Sequence, residues 1–138
     1  MKISCIAKHP FRRLIATGEV NIQPQVHVWD AQSFETVSVL QTSHKGGVLH
    51  LCFSADGQKI LSIGMDSTFS LQVFQWEQNR TLAFRNLGYL PVFGVKFDPY
   101  NSSKFVTCGY EHMAVWKLQG THLSCTNFQH FYSSKLSR

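Results

Sequence analysis

A pattern that occurs three times constrains this chain of 138 residues more than any other feature. Each copy contains an apolar stretch that ends in a turn, a second that ends in glycine, and a third that ends in an aromatic residue. The aromatic residues are Trp29, Phe74 and Trp116, which lie 45 and 42 residues apart. A repeat of this length has to be interpreted before any local structure, because each copy forms one unit that packs on its neighbours.

Each copy predicts four short β-strands. The second strands, "RLIATG", "KILSIG" and "KFVTCG", are almost continuously apolar, as expected of strands covered on both faces. The turns "SADG" and "DPYN" contain the residues that tight hairpins favour. Four strands in about 40–45 residues are typical of WD-repeat propeller blades. We therefore predict an all-β fold, a partial WD-repeat β-propeller of about three four-stranded antiparallel blades.

The repeats also predict the organisation of the chain. We place the first blade at 1–46, with a loop insertion at 19–25, the second at 47–86 and the third at 87–126. Residues 127–138 form a C-terminal tail or the start of an absent blade. Closed propellers use four to eight blades, so this chain alone does not close one. We expect a fragment or truncated isoform of a longer protein, or a chain that another chain completes.

The aromatic residue of the third strand has a predicted structural role. In a common WD blade, the Trp N–H is one end of a buried hydrogen-bonded chain through Ser or Thr, His and Asp. The candidate positions are Thr17, Trp29 and Asp30 in the first repeat, His44, Ser62, Asp66 and Phe74 in the second, and Tyr89, Thr107 and Trp116 in the third. No repeat contains every member, so we expect apolar packing to hold the blades and the polar chain to be partial.

The formal net charge of +5 is compatible with an acidic partner, such as nucleic acid, anionic lipid or an acidic protein surface. It identifies none of them, because the Lys and Arg residues are scattered and each is better explained, taken singly, as a solvated surface charge. The candidate partner-binding cations are Lys8, Arg12, Arg13, Lys45, Arg80, Arg85, Lys104 and Lys117.

No sequence motif points to catalysis, a cofactor or a metal. The four cysteines are far apart and favour buried free thiols over a zinc site. The seven histidines form no HExxH motif, and neither a GxSxG motif nor a glycine-rich phosphate loop is present. We predict a chain that is not an enzyme. It contains no apolar run of signal-peptide or membrane-span length, and is expected to be soluble and intracellular.

Several motifs resemble those of the echinoderm microtubule-associated protein-like family. They are an "ATG" strand followed by a loop and "VWD", an "SxGxD" motif followed by an aromatic-x-Trp ending, and "VTCG" followed by a His and a Trp strand. The resemblance covers about residues 11–125 and implies a cytoplasmic, cytoskeletal propeller protein whose partners are microtubules or tubulin. Phe74-Gln75 and Trp116-Lys117 depart from the expected Trp-Asp.

The favoured function is therefore a non-enzymatic scaffold associated with microtubules, which contacts proteins through its propeller loops and does not bind membranes. An alternative is a general WD-repeat interaction module in an unrelated complex. Nucleic-acid binding is less favoured and rests on aromatic residues near basic ones in the tail. These tail residues are Phe128, Phe131, Tyr132, Lys135 and Arg138.

Overall fold

The computed structural model describes residues 1–88 and 90–127, so Tyr89 and residues 128–138 of the predicted tail lie outside it, whereas Asn127 belongs to the last strand. The described chain forms three four-stranded sheets. The first comprises β1 (Lys2–Lys8), β2 (Leu14–Val20), β3 (Gln25–Asp30) and β4 (Thr36–Gln41). The second comprises β5 (Val48–Phe53), β6 (Lys59–Gly64), β7 (Ser70–Gln75) and β8 (Arg80–Asn86), with a 3₁₀ turn at Trp76–Gln78. The third comprises β9 (Val92–Asp98), β10 (Asn101–Gly109), β11 (His112–Gln119) and β12 (His122–Asn127).

Each sheet is an antiparallel meander in which consecutive strands pair. The first strands of the three sheets lie side by side, because β5 contacts both β1 and β9. The sheets therefore stack face to face around their first strands, as propeller blades do. The predicted all-β fold of three four-stranded antiparallel blades is confirmed, and the described strands form no closed ring.

The strand register makes the three aromatic residues equivalent. In every blade the aromatic residue pairs with a residue of the second strand that lies two positions before a Ser or Thr. The pairs are Trp29 with Ile15, Phe74 with Ile60, and Trp116 with Phe105, and the hydroxyl residues are Thr17, Ser62 and Thr107. We call the side of each sheet that carries these residues its landmark face, and the other side its reverse face.

The reverse face of one blade packs on the landmark face of the next. Between the first and second blades, the buried core contains Ala16, Val26 and Val28 on one side and Ile60 and Phe74 on the other. Between the second and third, it contains Leu61, Leu71 and Val73 on one side and Phe105 and Trp116 on the other. The second blade is thus covered on both faces. Within the described residues, no blade covers the landmark face of the first or the reverse face of the third.

A glycine stands at or near the end of each second strand because another part of the chain passes very close to it. A Cβ atom at Gly18 would lie 2.6 Å from Val48 of the next blade. At Gly64 it would lie 2.6 Å from the His44 ring, and at Gly109 it would lie 2.0 Å from the Pro91 carbonyl oxygen. The repeated glycine therefore reflects close packing, which only a residue without a side chain allows.

The connections between strands alternate between two ends of the molecule. One, which we call the turn end, contains the turns 9–13, 31–35, 54–58, 76–79, 99–100 and 120–121. A cavity of about 570 Å³ opens there between the ends of β1, β5 and β9. The loop of the first repeat lies at the opposite end and spans 21–24, because Glu19 and Val20 still belong to β2. The Glu19 carboxylate accepts a 2.9 Å hydrogen bond from the Gln25 N–H and closes this loop.

Candidate functional site

The first blade contains only part of the predicted polar chain. The indole N–H of Trp29 donates to the Thr17 hydroxyl at 2.8 Å. The His27 ring stacks on Trp29 with ring centroids 5.4 Å apart, and its buried Nδ1 has no hydrogen-bond partner among the described residues. Asp30 takes no part, because its carboxylate accepts from the backbone N–H groups of Ser33 and Gln32, which hold its pKa below the usual value. Asp30 is a turn residue.

The second blade contains the longest network. His44 precedes β5, and its Nε2 lies 2.7 Å from the Ser62 hydroxyl while its Nδ1 lies 2.7 Å from the Ser70 hydroxyl. The Ser70 hydroxyl donates in turn to the Asp66 carboxylate. Since Ser70 has one proton, it accepts from His44 Nδ1–H, which leaves Nε2 to accept from Ser62. The structure thus brings His44, Ser62 and Asp66 together through Ser70, a member that sequence reasoning missed.

Burial keeps His44 neutral. Its pKa falls from 6.5 to about 4 because desolvation outweighs the attraction of Asp66. A protonated ring would carry a hydrogen on Nε2 as well, so Ser62 could no longer donate to that nitrogen. The Ser62 hydroxyl would then have to donate to the Gln72 carbonyl oxygen, which lies 3.4 Å away. Phe74 sits in the aromatic position and adds only apolar contact, since it has no N–H to offer.

In the third blade, the hydrogen-bonded network ends at a histidine from a different position in the repeat. Trp116 donates to the Thr107 hydroxyl at 2.9 Å, and that hydroxyl also lies 2.8 Å from His112 Nε2. Burial lowers the pKa of His112. This histidine comes from the start of β11, whereas His44 comes from the connection before its blade. Tyr89, the residue proposed for this place, lies outside the described residues.

A second cluster, absent from the sequence predictions, joins the first two blades at the turn end. His9 is 2% exposed, and its Nδ1 accepts from the backbone N–H of Arg12 at 3.0 Å. Trp76 donates to the Gly57 carbonyl at 2.8 Å. The Arg12 guanidinium lies 5.7 Å from the centre of the Trp76 ring and 3.2 Å from the Glu77 carboxylate. A Cβ atom at Gly57, where φ is +72°, would lie 2.1 Å from His9 Nε2, so this turn requires glycine.

Six of the eight predicted cations lie at or towards the turn end, and the other two, Lys45 and Arg85, lie towards the opposite end. Arg85 is engaged between the second and third blades, because it donates to the Leu123 carbonyl at 2.8 Å and lies 5.5 Å from the centre of the Trp116 ring. Arg12 is held by Glu77 and Trp76. The other predicted cations at the turn end are Lys8, Arg13, Arg80 and Lys117, which are exposed, and Lys104, which is half-buried.

The turn end carries the net positive charge of the described chain. Counted by the nearer end of each strand, it holds eight of the eleven Lys and Arg residues in 1–88 and 90–127 and five of the eight Asp and Glu residues. The opposite end is balanced, with three of each sign. A field of one sign at one end favours an acidic partner there.

The thiols differ from expectation. Cys5 and Cys52 are half-buried, and desolvation raises the pKa of Cys52 to about 12. Cys108, which the sequence placed in a buried strand, is exposed on the reverse face of the third blade, where no described blade covers it. Within 1–88 and 90–127, no three His, Cys, Asp or Glu side chains are grouped as a metal site, and no helical segment has the length and hydropathy of a membrane span.

Comparison with known proteins matches residues 1–136 to the family model described as the first β-propeller of echinoderm microtubule-associated protein. The chain belongs to this family. It is 34% identical over 133 residues to echinoderm microtubule-associated protein-like 4 of Xenopus laevis, with 88% of this chain and 14% of that protein covered. It is 29% identical over 133 residues to human echinoderm microtubule-associated protein-like 1, with 88% of this chain and 16% of that protein covered. The predicted family resemblance is confirmed.

The structural comparison gives the same fold. The β-propeller domain of Cps50 (Swd1) from Myceliophteria thermophila matches with a TM-score of 0.75 at 16% identity, covering 91% of this chain and 37% of that one. The chain spans about a seventh of the length of these family relatives.

Proposed function

We propose that this family member is a non-enzymatic interaction scaffold that binds microtubules through its turn end. The supporting observation is the charge distribution, since eight of eleven described cations lie at that end of a chain whose relatives are named as microtubule-associated. Tubulin is the expected partner, and the setting is the cytoskeleton of the cytoplasm. Exposed loops on a rigid sheet scaffold suit this role because they present side chains in fixed positions.

The binding is expected to be electrostatic. Arg13 and Arg80 are both exposed at the turn end, so a partner can reach them. At physiological ionic strength, such charges act over about 8 Å, so their attraction for an acidic surface weakens as salt is added.

The test is co-sedimentation of the 138-residue chain with microtubules at low and high salt. The chain is expected to pellet at low salt and to be released at high salt. The double variant Arg13→Glu/Arg80→Glu should lose the low-salt binding. Its matched control is Lys2→Glu/Lys45→Glu, which changes the net charge equally but at the opposite end, and should still pellet.

Two results would contradict the proposal. One is a chain that stays in the supernatant at both salt concentrations. The other is equal loss of binding in the two double variants, which would mean that total charge, and not the turn end, controls the association.

A further inference from the structure

We propose that Phe34, in the turn 31–35 at the turn end, is an aromatic anchor that enters an apolar pocket on the surface of a folded protein partner. The inference rests on the proposed function, since tubulin is the partner on which it is tested. The anchor would add an apolar contact to the charged contacts of the turn end. Phe34 is distinguished by an unfavourable backbone conformation combined with an exposed ring.

The backbone of Phe34 lies in the left-handed region, which bulky residues rarely adopt. Its φ is +61°, and this region is unfavourable for residues with a Cβ atom but is tolerated by glycine and asparagine. The other two blades place these tolerant residues in the same connection, Asn79 with φ +51° and Gly120 with φ +64°. Phe34 and Asn79 each lie five residues after the aromatic residue of the third strand. The first blade therefore has a phenylalanine where its neighbours have residues suited to the turn.

Packing within the chain does not explain this choice. Phe69 also has a positive φ, +47°, but it is half-buried and packs against the core between the second and third blades. Phe34 is 77% exposed and belongs to neither core cluster. Backbone strain of this kind concentrates at functional sites. Because Phe34 has the strained conformation without the burial, we infer that its ring makes a contact outside the chain.

A preceding blade does not cover this position. The first blade covers the landmark face of the second, and the second covers that of the third, yet Asn79 and Gly120 both remain exposed. The turn after the third strand therefore stays open when another blade packs ahead of it. The exposure of Phe34 is thus a property of its place in the blade.

Hydrogen bonds hold the turn around Phe34 in one conformation. The Asp30 carboxylate accepts from the backbone N–H groups of Gln32 at 2.8 Å and Ser33 at 3.0 Å. The Asp30 carbonyl oxygen accepts from the Phe34 N–H at 2.9 Å, and the Asp30 N–H donates to the Glu35 carbonyl oxygen at 2.9 Å. A ring on a fixed turn loses little conformational freedom on binding, which favours it as an anchor.

The neighbouring turn 9–13 extends the anchor into a small patch of mixed chemistry. The Ala31 N–H donates to the Arg13 carbonyl oxygen at 2.9 Å and joins the two turns. The neighbouring turn also contains Phe11, which is 69% exposed. Aromatic residues and arginine are enriched in protein interfaces and supply most of their binding energy.

The carboxylates of the turn favour a protein partner over a membrane or a nucleic acid. Asp30 precedes the turn and the exposed Glu35 ends it, on either side of Phe34 in the sequence. Carboxylates repel the phosphate groups of anionic lipids and nucleic acids. A protein surface can instead place cations opposite these carboxylates and acidic groups opposite Arg13.

The experiment measures the affinity of the 138-residue chain for microtubules at low salt, together with the urea midpoint of each variant. Phe34→Asn should weaken binding by about tenfold or more, because the anchor is lost. It should also raise the urea midpoint, because asparagine tolerates the left-handed conformation. Phe34→Ala should weaken binding equally but have a lower midpoint than Phe34→Asn. The matched control is Ile22→Asn, which removes an 85% exposed apolar side chain at the opposite end and should change neither quantity.

Salt separates the anchor from the charged contacts. Phe34→Asn should weaken binding by the same factor at each ionic strength, because salt does not screen an apolar contact, whereas Arg13→Glu/Arg80→Glu should change the salt dependence. If only the charge variant loses binding, the proposed function stands and the anchor is overturned. If only Phe34→Asn loses binding, the anchor stands and the electrostatic account is wrong. A wild-type chain that pellets at no salt concentration overturns both.

Three further results would overturn the anchor. A lower urea midpoint in Phe34→Asn would give the ring a role in folding. Equal weakening of binding by Ile22→Asn would indicate non-specific apolar association. Binding to phosphatidylserine vesicles that Phe34→Asn abolishes would assign the ring to a lipid surface.

Discussion

The second blade and its two neighbours have the same strand order and register, yet they differ in how their apolar residues are used. Every residue of β6 after Lys59 is buried, because the first blade covers one face of the sheet and the third covers the other. In β10, several positions of the equivalent strand are half-buried or exposed. The repeat pattern therefore specifies which side chains can be buried, while the neighbouring blade determines which of them are buried.

The same comparison applies to the polar networks. In the second blade, His44 is bonded at both ring nitrogens inside the core. In the first blade, Trp29 and Thr17 lie on a face that no described blade covers, and the hydrogen-bonded network consists of this one pair. Four measurements on matched positions of the blades test this contrast.

Leu71 and Met113 occupy equivalent positions, one covered and one open, so truncating each tests the contrast directly. Leu71→Ala is expected to cost about 2–5 kcal/mol in the free energy of unfolding, because it leaves a cavity between blades. Met113→Ala should cost less than about 0.5 kcal/mol. Urea unfolding at concentrations where the chain is a single copy gives both values. Equal losses would mean that the third blade is as well covered as the second.

Acid should destabilise the fold through His44. The pKa of His44 is about 4 in the folded chain, whereas the ordinary histidine value of 6.5 applies to the unfolded chain. The unfolded chain therefore binds the proton more tightly. The contribution is complete above about pH 6.5 and is lost as the pH falls towards 4, by about 3 kcal/mol in total. Urea midpoints across this range measure it.

His44→Gln should flatten most of this pH dependence, leaving the contributions of His9 and His112, whose pKa values are lowered in the same direction. His122→Gln, at an exposed strand position, is the control and should retain the full dependence. A wild-type profile that is flat between about pH 6.5 and 4 would show that His44 is not held neutral.

Ser62→Ala should cost about 1–3 kcal/mol, because it leaves the buried Nε2 of His44 without a donor. Thr17→Val at the equivalent position of the first blade should cost less than about 1 kcal/mol, since water can reach the half-buried Trp29. Thermal or urea unfolding of both variants makes the comparison. The reverse order would place the stronger network in the first blade.

The ion pair between Arg12 and Glu77 joins the first two blades at the surface. A double-mutant cycle with Arg12→Ala and Glu77→Ala should give a coupling of about 0.2–1 kcal/mol, because both side chains are about half exposed. Urea unfolding at low and high salt measures it, and the coupling should shrink as salt is added. A larger, salt-independent value would identify a buried contact.

The sequence was sufficient to predict the strands, the equivalence of Trp29, Phe74 and Trp116, and the open array of blades. These follow from the spacing of the repeats and from the order of apolar stretches and turns within each repeat. It was insufficient for the network roles of Ser70 and His112 and for the contact of His9 with Gly57. Neither Ser70 nor His112 is among the positions from which the polar chain was predicted, and His9 meets Gly57 only when two blades stack. The uneven charge was also hidden, since alternate connections of a meander meet at one end only after folding.

The position of His44 has a consequence for how such proteins are built and cut. This residue belongs by sequence to the stretch that leaves the first blade, yet its ring completes the interior of the second. For the second blade, the stretch of sequence that folds as one unit is therefore offset from the sheet. A deletion, duplication or splice boundary placed at the first strand would separate a sheet from the histidine it needs, whereas a boundary ahead of Thr42 would carry the whole module intact.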